Sequence, residues 1–433
     1  MLIYSAKKSP RLEYALRILF RQLLSLNYTL TDDYLFYQEH AGPKIHYGER
    51  RLADDGFFLS AHSLLFEEEI QPVNVEVIQI GERPALFPAQ EDSDWPFDLF
   101  SMCFYCLSRY EEYLDFTGDR YGRFPASESV AYKYDFLQRP ILNEWAYYFG
   151  KTLKEKWPKL DWEKPKYQFQ LTFDIDMAWA YLHRPWWRLI SGGVAQLLRG
   201  QWGGLRERVQ VLRGRAADPF YVFDYLDHLQ EQLKIDTLYF WLLGDPAKYD
   251  LNADVQLPAF RELIRRIARR YPIGIHPSFQ SNTAPAQVDR EIQRLKNITR
   301  GDVSRSRQHF LILSFPKTYQ KLLSCGITDD YSMGYADQVG YRAGIAAPFL
   351  WYDLQREQIT NLTIHPFAAM DVTLNFYLKM KPTEALEYLD NMAQAVRQYG
   401  GTFTLLWHNS SFASQIGWTG WRDIFEQILR IAK

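Results

Sequence analysis

The chain has 433 residues, 47% hydrophobic and 24% charged, a balance that suits two or three packed domains and excludes a mainly disordered chain. Lys and Arg number 50 against 52 Asp and Glu, so a net charge of −2 gives no reason to expect a nucleic-acid partner. Aromatic residues reach 16%, a surplus that builds cores and also suits stacking on the flat faces of sugar rings.

In chain order, Ser9 and Pro10 open a helix whose apolar residues Leu12, Ala15, Leu16, Leu19, Phe20 and Leu23 recur every three or four positions. Short strand-like pieces follow, among them Val73 to Ile80, and then an aromatic helix near 97–114. That helix carries Cys103 and Cys106. With only Cys325 besides, they complete neither a zinc ribbon nor a disulfide framework and read as buried thiols. Ile141 to Trp157 reads as a third helix, and the charged, proline-bracketed stretch Pro158 to Lys166 as a linker. Residues 1–160 are thus expected to form a smaller α+β unit without a catalytic motif.

From Tyr167 the pattern changes to strands alternating with helices. Tyr167 to Phe173, Thr237 to Leu243 and Ile273 to Ile275 read as strands, and further strands are expected to end at Ile327, Arg342, Ile364 and Leu406. Helices are expected over Phe220 to Lys234, Ala259 to Tyr271 and Thr383 to Tyr399. Such alternation over 166–433 predicts a parallel α/β sheet, either a barrel or an open doubly wound sheet. Arg188 to Arg215 stands apart as a basic insertion with one acid, Glu207. It is a solvated loop and helix, or a contact for an anionic substrate or membrane surface. No window approaches the roughly 20 apolar residues of a membrane span. The start of the chain shows no secretory signal, so a cytoplasmic location is expected.

Parallel α/β folds gather function at the C-terminal ends of their strands. Asp174 and Asp176, His276, His309, Asp330, Arg342, His365 and His408-Asn409 all fall at such ends or beside them. Asp174 and Asp176 are two apart and share a side of an extended chain, where they repel unless a cation or an arginine lies between them. A metal bound by Asp176 and histidines would acidify its water, and Asp174 could accept the proton. The plainer reading is an acidic strand end that caps a helix or pairs with an arginine.

The order of four motifs brings in a family. Leu171-Thr172-Phe173-Asp174-Ile175-Asp176, Gly274-Ile275-His276-Pro277-Ser278, Arg307 and Leu405-Leu406-Trp407-His408-Asn409 resemble the motifs of the polysaccharide deacetylases, metal-dependent carbohydrate esterases. The resemblance spans the chain from Tyr167 onward. It implies a distorted (β/α) barrel that removes acetyl groups from N-acetylated sugars, with zinc or else cobalt, nickel or manganese bound, and an acetylated glycan as substrate. It implies Asp174 as base, Asp176 and His276 as metal ligands, His408 as the acid that protonates the leaving amine, and Arg307 as the partner that keeps the base charged. The first ~165 residues resemble a region that accompanies some bacterial deacetylases of this type. One departure stands out: the family carries a second histidine four residues after the first, and here that position is Gln280. His309, two residues after Arg307, is the expected replacement ligand; otherwise Asp176, His276 and waters would hold the metal more weakly. Arg342 fits the role of Arg307 nearly as well, Asp330 and Asp371 are candidates to orient the arginine or His408, and Trp407 and Asn409 are expected near the substrate. Gln280 also leaves open a catalytically degenerate glycan-binding module, and the fold leaves open an amidohydrolase for small non-sugar amides.

Overall fold

The computed structural model describes residues 1–52, 56–414 and 417–433. Ser9 caps the first helix, Pro10–Leu16, by accepting from the Leu12 amide at 3.0 Å, and the helix runs on in wider turns through Arg17–Leu23. It packs beside four short parallel strands, β1 (Leu2–Tyr4), β2 (Thr29–Thr31), β3 (Lys44–Gly48) and β4 (Phe58–Ser60), in the order β2-β1-β3-β4. A hairpin of β5 (Val77–Ile80) and β6 (Arg83–Leu86) follows, four residues later than the expected start at Val73. The aromatic helix is Leu99–Ser108, capped by Asp98 and buried along its whole length, Cys103 and Cys106 included. It stops short of the expected 114, because Arg109 turns left-handed (φ 55°) and sends its guanidinium to Glu111 and Glu112.

The remaining strands are β7 (Gln168–Ile175), β8 (Thr237–Leu242), β9 (Ile273–His276), β10 (Arg305–Ser306), β11 (Asp329–Asp330), β12 (Phe349–Asp353), β13 (Gln358–Ile364), β14 (Ala369–Met370) and β15 (Thr402–His408). They form one nine-stranded sheet in the order β12-β13-β11-β10-β9-β8-β7-β15-β14, parallel except for the β12–β13 pair. The last strand, β15, lies beside the first, β7, and sequence neighbours pair on both sides of that join. This is the order of a ring cut at one seam, between the edge strands β12 and β14, rather than the reversed order of a doubly wound sheet.

Two strand expectations are corrected. The strand expected to end at Ile327 begins at Asp329, and Tyr341-Arg342 lies in a turn. Arg342 is drawn out of the sheet by Glu112, which takes its Nε at 2.8 Å and also its Nη2, while Arg109 holds the same carboxylate from the other side.

The two regions share one apolar core. Polar ties reinforce it: Arg11 meets Glu357 at 2.6 Å, Tyr14 donates to the Leu350 carbonyl, and Asn143 bridges the Gly400 carbonyl and the Ala346 amide. Pro158 to Lys166 has no regular structure, yet it is strapped down by the Glu163 amide on Leu24 and by Lys164 on the carbonyls of Arg397 and Gln398. The basic insertion is a pair of helices, Trp186–Leu198 and Trp202–Leu212. Among the described residues no helix is long and apolar enough to cross a membrane.

Candidate active site

β7 ends in two acids because its alternation buries Leu171, Phe173 and Ile175 in the core and leaves Asp174 and Asp176 at the C-terminal rim. The parallel register sets His408 of β15 opposite Asp174, and on the other side carries His276 to the end of β9. Arg307 follows β10, and His309 enters a short 3-10 turn after it.

Three imidazoles converge on Asp176. The Nε2 atoms of His276 and His309 stand 3.3 and 3.6 Å from its Oδ1, and that of His408 stands 3.9 Å from its Oδ2. Each ring is aimed from behind. Nδ1 of His276 faces the Arg307 carbonyl at 2.6 Å, that of His309 faces Asp250 at 3.0 Å, and that of His408 faces Asp371 at 2.8 Å. A carbonyl or carboxylate behind the ring fixes its tautomer and leaves Nε2 as the forward nitrogen.

One ligand atom each from Asp176, His276 and His309 lies within 4.8 Å of the others. Oδ1 of Asp176 is buried and has no hydrogen-bond partner. Its 3.3 and 3.6 Å distances to the two imidazole nitrogens match the spacing of about 3.4 Å for ligands about 2.1 Å from a tetrahedral ion. The residues present therefore fit a divalent cation. Burial opposes charge on Asp176, but His309, His276 and His408 outweigh it and hold its carboxyl well below the usual range. Burial likewise lowers His309 and His408, yet Asp176 and Asp250 push the first up to about 9, and Asp371, Asp176 and Asp174 push the second up to about 10.

Asp174 is buried beside this cluster, with Oδ2 3.7 Å from Nε2 of His276 and Oδ1 3.7 Å from Nη1 of Arg307. Arg307 is wholly buried, its guanidinium between the rings of Phe240 and Phe367 at 5.1 and 5.2 Å, and it donates to Thr172 at 2.9 Å. Burial draws its pKa down, and Asp174 and Asp330 counter that.

The other expected residues sort differently. Asp371 orients His408, taking both its amide and its Nδ1. Asp330 hydrogen-bonds to Ser306 and Ser332, so it reaches Arg307 through its charge alone. Asn409 holds the loop after Asp176 by donating to the carbonyls of Met177 and Phe220. Arg342 is absorbed by Glu112, which corrects the expectation that it rivals Arg307. Trp407 is corrected too: one residue before His408, it points to the opposite face and packs on Trp421 and Phe425. His365 stacks on Tyr331 and pairs with Asp329, apart from the cluster. Gln280 is exposed, and its amide donates to Asp250.

Two contributors carried no sequence signal, Asp250 and Arg123, and Thr172 stands in the first motif without an assigned role. Arg123 comes from the N-terminal region and lines the same cavity, of about 170 Å³, with Phe310, Leu311, Met370 and Tyr377 opposite the acids and histidines. It pairs with Asp119 at 2.7 Å and donates to the Phe310 carbonyl at 2.9 Å. Against Phe310 of the cavity wall, Tyr121, Tyr249 and Phe279 pack ring on ring at 4.5–6.1 Å.

Comparison with known proteins adds the following. Residues 1–158 match the model of a family of unknown function (DUF7033). No curated protein matches the chain. Among solved structures, a putative polysaccharide deacetylase from Mycobacterium smegmatis is similar at 15% identity and a TM-score of 0.41, over 63% of this chain and 85% of that one. The polysaccharide deacetylase Bc1974 from Bacillus cereus follows at 12% identity and 0.30, over 61% and 85%. A BA3943 mutant, described as a CE4 family pseudoenzyme with restored enzymatic activity, is similar at 11% and 0.23, over 60% and 64%. Likenesses this distant leave the side chains to carry the function.

Proposed function

We propose that the protein is a divalent-cation-dependent hydrolase that removes N-acetyl groups from amino sugars of a surface polysaccharide or its precursor. The observation that carries this reading is the convergence of three imidazole Nε2 atoms on Asp176, beside a second carboxylate backed by a buried arginine. Asp176, His276 and His309 would hold the cation, zinc first among those that suit one oxygen and two nitrogens, with cobalt, nickel or manganese as alternatives. Bound there, a cation would supply Lewis acidity toward the amide carbonyl and water.

The residues divide the remaining work. Asp174 accepts the proton of the attacking water, and Arg307 balances its charge at 3.7 Å. His408, whose Nδ1 faces Asp371 at 2.8 Å so that the carboxylate favours the protonated ring, gives its proton to the departing amine. Water and amide are consumed, and acetate and the free amino sugar leave. Leu311, Met370 and Val372 give the acetyl methyl an apolar wall, and Phe310, backed by Tyr121 and Phe279, gives the sugar a stacking surface.

The test is acetate release from a panel of N-acetylated oligosaccharides by the metal-loaded protein. Turnover that falls about 10²–10⁴-fold in Asp174→Asn supports the reading. Loaded protein that binds the sugars but releases no acetate from any of them would replace it with a glycan-binding module.

A further inference from the structure

The helix Trp186–Leu198 turns its apolar side the wrong way for a globular protein. Trp186, Trp187, Ile190, Val194, Leu197 and Leu198 recur every three or four residues and are all exposed, from 47% to 82%. The neighbouring helix Trp202–Leu212 does the same with Trp202, Val209 and Leu212. Together these nine make up more than half of the 17 large apolar side chains exposed among the described residues. No residue from 182 to 203 is buried. The sides turned toward each other are small and polar: Gly192 lies under Arg208 and Gly204 under Gln196, and Arg208 donates to Gln196 at 2.7 Å. Arg208 also sits over the Tyr181 ring at 4.6 Å, which ties the pair to the rim.

Residues 184–215 carry seven arginines and one acid in a chain of net charge −2, and that acid, Glu207, is occupied by the Tyr181 hydroxyl. Arg199, Arg206, Arg213 and Arg215 are exposed, and among the described residues none has an acidic partner. We propose that this helical pair is a docking surface for an anionic phospholipid bilayer, lying in the plane of the headgroups with its tryptophans and leucines inserted and its arginines among the phosphates. A 13-residue helix is about 20 Å long and cannot span a hydrocarbon layer of about 30 Å, so it lies on the surface. A second copy of this chain is the poorer occupant, because it would set two arginine-rich surfaces against each other.

The pair begins ten residues after Asp176, and a cavity of about 490 Å³ lies between its base at Arg184, Trp187 and Arg188 and the segment from Pro246 to Leu257. Docking there brings the catalytic rim to the bilayer. Resting on the hydrolase reading, the substrate class it selects is an amino sugar carried on a lipid.

The experiment is co-sedimentation of the full chain with vesicles of phosphatidylcholine plus phosphatidylglycerol, against phosphatidylcholine alone. The wild type is expected to pellet with the anionic vesicles and be released by salt. Arg199→Gln and Arg206→Gln should each weaken partitioning about fivefold. Trp186→Ser combined with Leu198→Ser should abolish it, with an unchanged Tm showing that the fold is intact. No pelleting, or equal pelleting of the variants, overturns the proposal. So does a dimer in sedimentation equilibrium that the Trp186→Ser, Leu198→Ser variant splits, because a second copy then covers the stripe. Acetate release from soluble oligosaccharides is read separately, so either reading can fail without the other.

Discussion

Oδ1 of Asp250 lies 3.0 Å from Nδ1 of His309. A carboxylate only accepts, so in the neutral ring the proton sits on Nδ1 and Nε2 faces Asp176. The same acid takes the amides of Phe279 and Gln280, the latter the position where a second motif histidine was expected. On the proposed reading His309 stands in for the missing ligand from another strand end, and one buried acid ties both places together. Asp250→Ala is expected to weaken cation binding about 10–100-fold while leaving the fold intact, as read by direct titration with zinc and by the Tm of the cation-free protein.

His309 and His408 set a pH dependence. Their pKa values in the folded, cation-free protein, about 9 and about 10, lie above the ordinary 6.5. Raised values mean that their contribution to stability is fully present below about pH 6.5 and is lost as pH rises through 9 to 10. The Tm of chelator-treated protein should fall over that window, and the fall should be shallower in His309→Gln. A cation also needs His309 neutral, so uptake near pH 7.5 should release close to one proton, visible as a buffer-dependent heat in calorimetry.

In the proposed mechanism His408 and Asp371 act on the leaving group and not on the cation. Asp371→Asn and His408→Asn are expected to lower kcat about 10²–10⁴-fold with cation content unchanged. Loss of cation in either variant would move His408 into the ligand set.

Arg123 links the N-terminal region to the chemistry. Its guanidinium donates to the Phe310 carbonyl, and Phe310 and Leu311 stand at φ 61° and 55°, a left-handed pair of non-glycine residues that costs about 1–3 kcal/mol each. They directly follow His309, so the hydrogen bond holds the turn that presents this proposed ligand. Arg123→Met should weaken cation binding about tenfold, since a hydrogen bond to a charged group contributes about 1.5–3 kcal/mol. Unchanged affinity would leave Arg123 as a wall of the cavity alone.

What could be read from sequence follows chain geometry. β7 and β15 are long enough to show alternation, so the acids after one and the histidine after the other stood out at the rim. His309 was legible because it lies two residues beyond Arg307. Asp250 and Arg123 come from loops with no periodicity, and their partners His309 and Phe310 are 59 and 187 residues away. Arg342 misled for the same reason: its partner Glu112 is 230 residues distant, and a turn residue beside strand-like neighbours looks like a rim residue. The three-residue strands of the N-terminal sheet are too short for any period to show.

The most direct test of the central claim is bound metal per chain, measured by mass spectrometry on protein purified without chelators or a histidine tag, together with Asp176→Ala and His309→Ala. The arrangement of Asp176, His276 and His309 predicts near-stoichiometric zinc or another divalent transition metal in the wild type, and its loss in both variants. A wild type that stays empty after metal is added back, or a His309→Ala variant that keeps its metal, would contradict it.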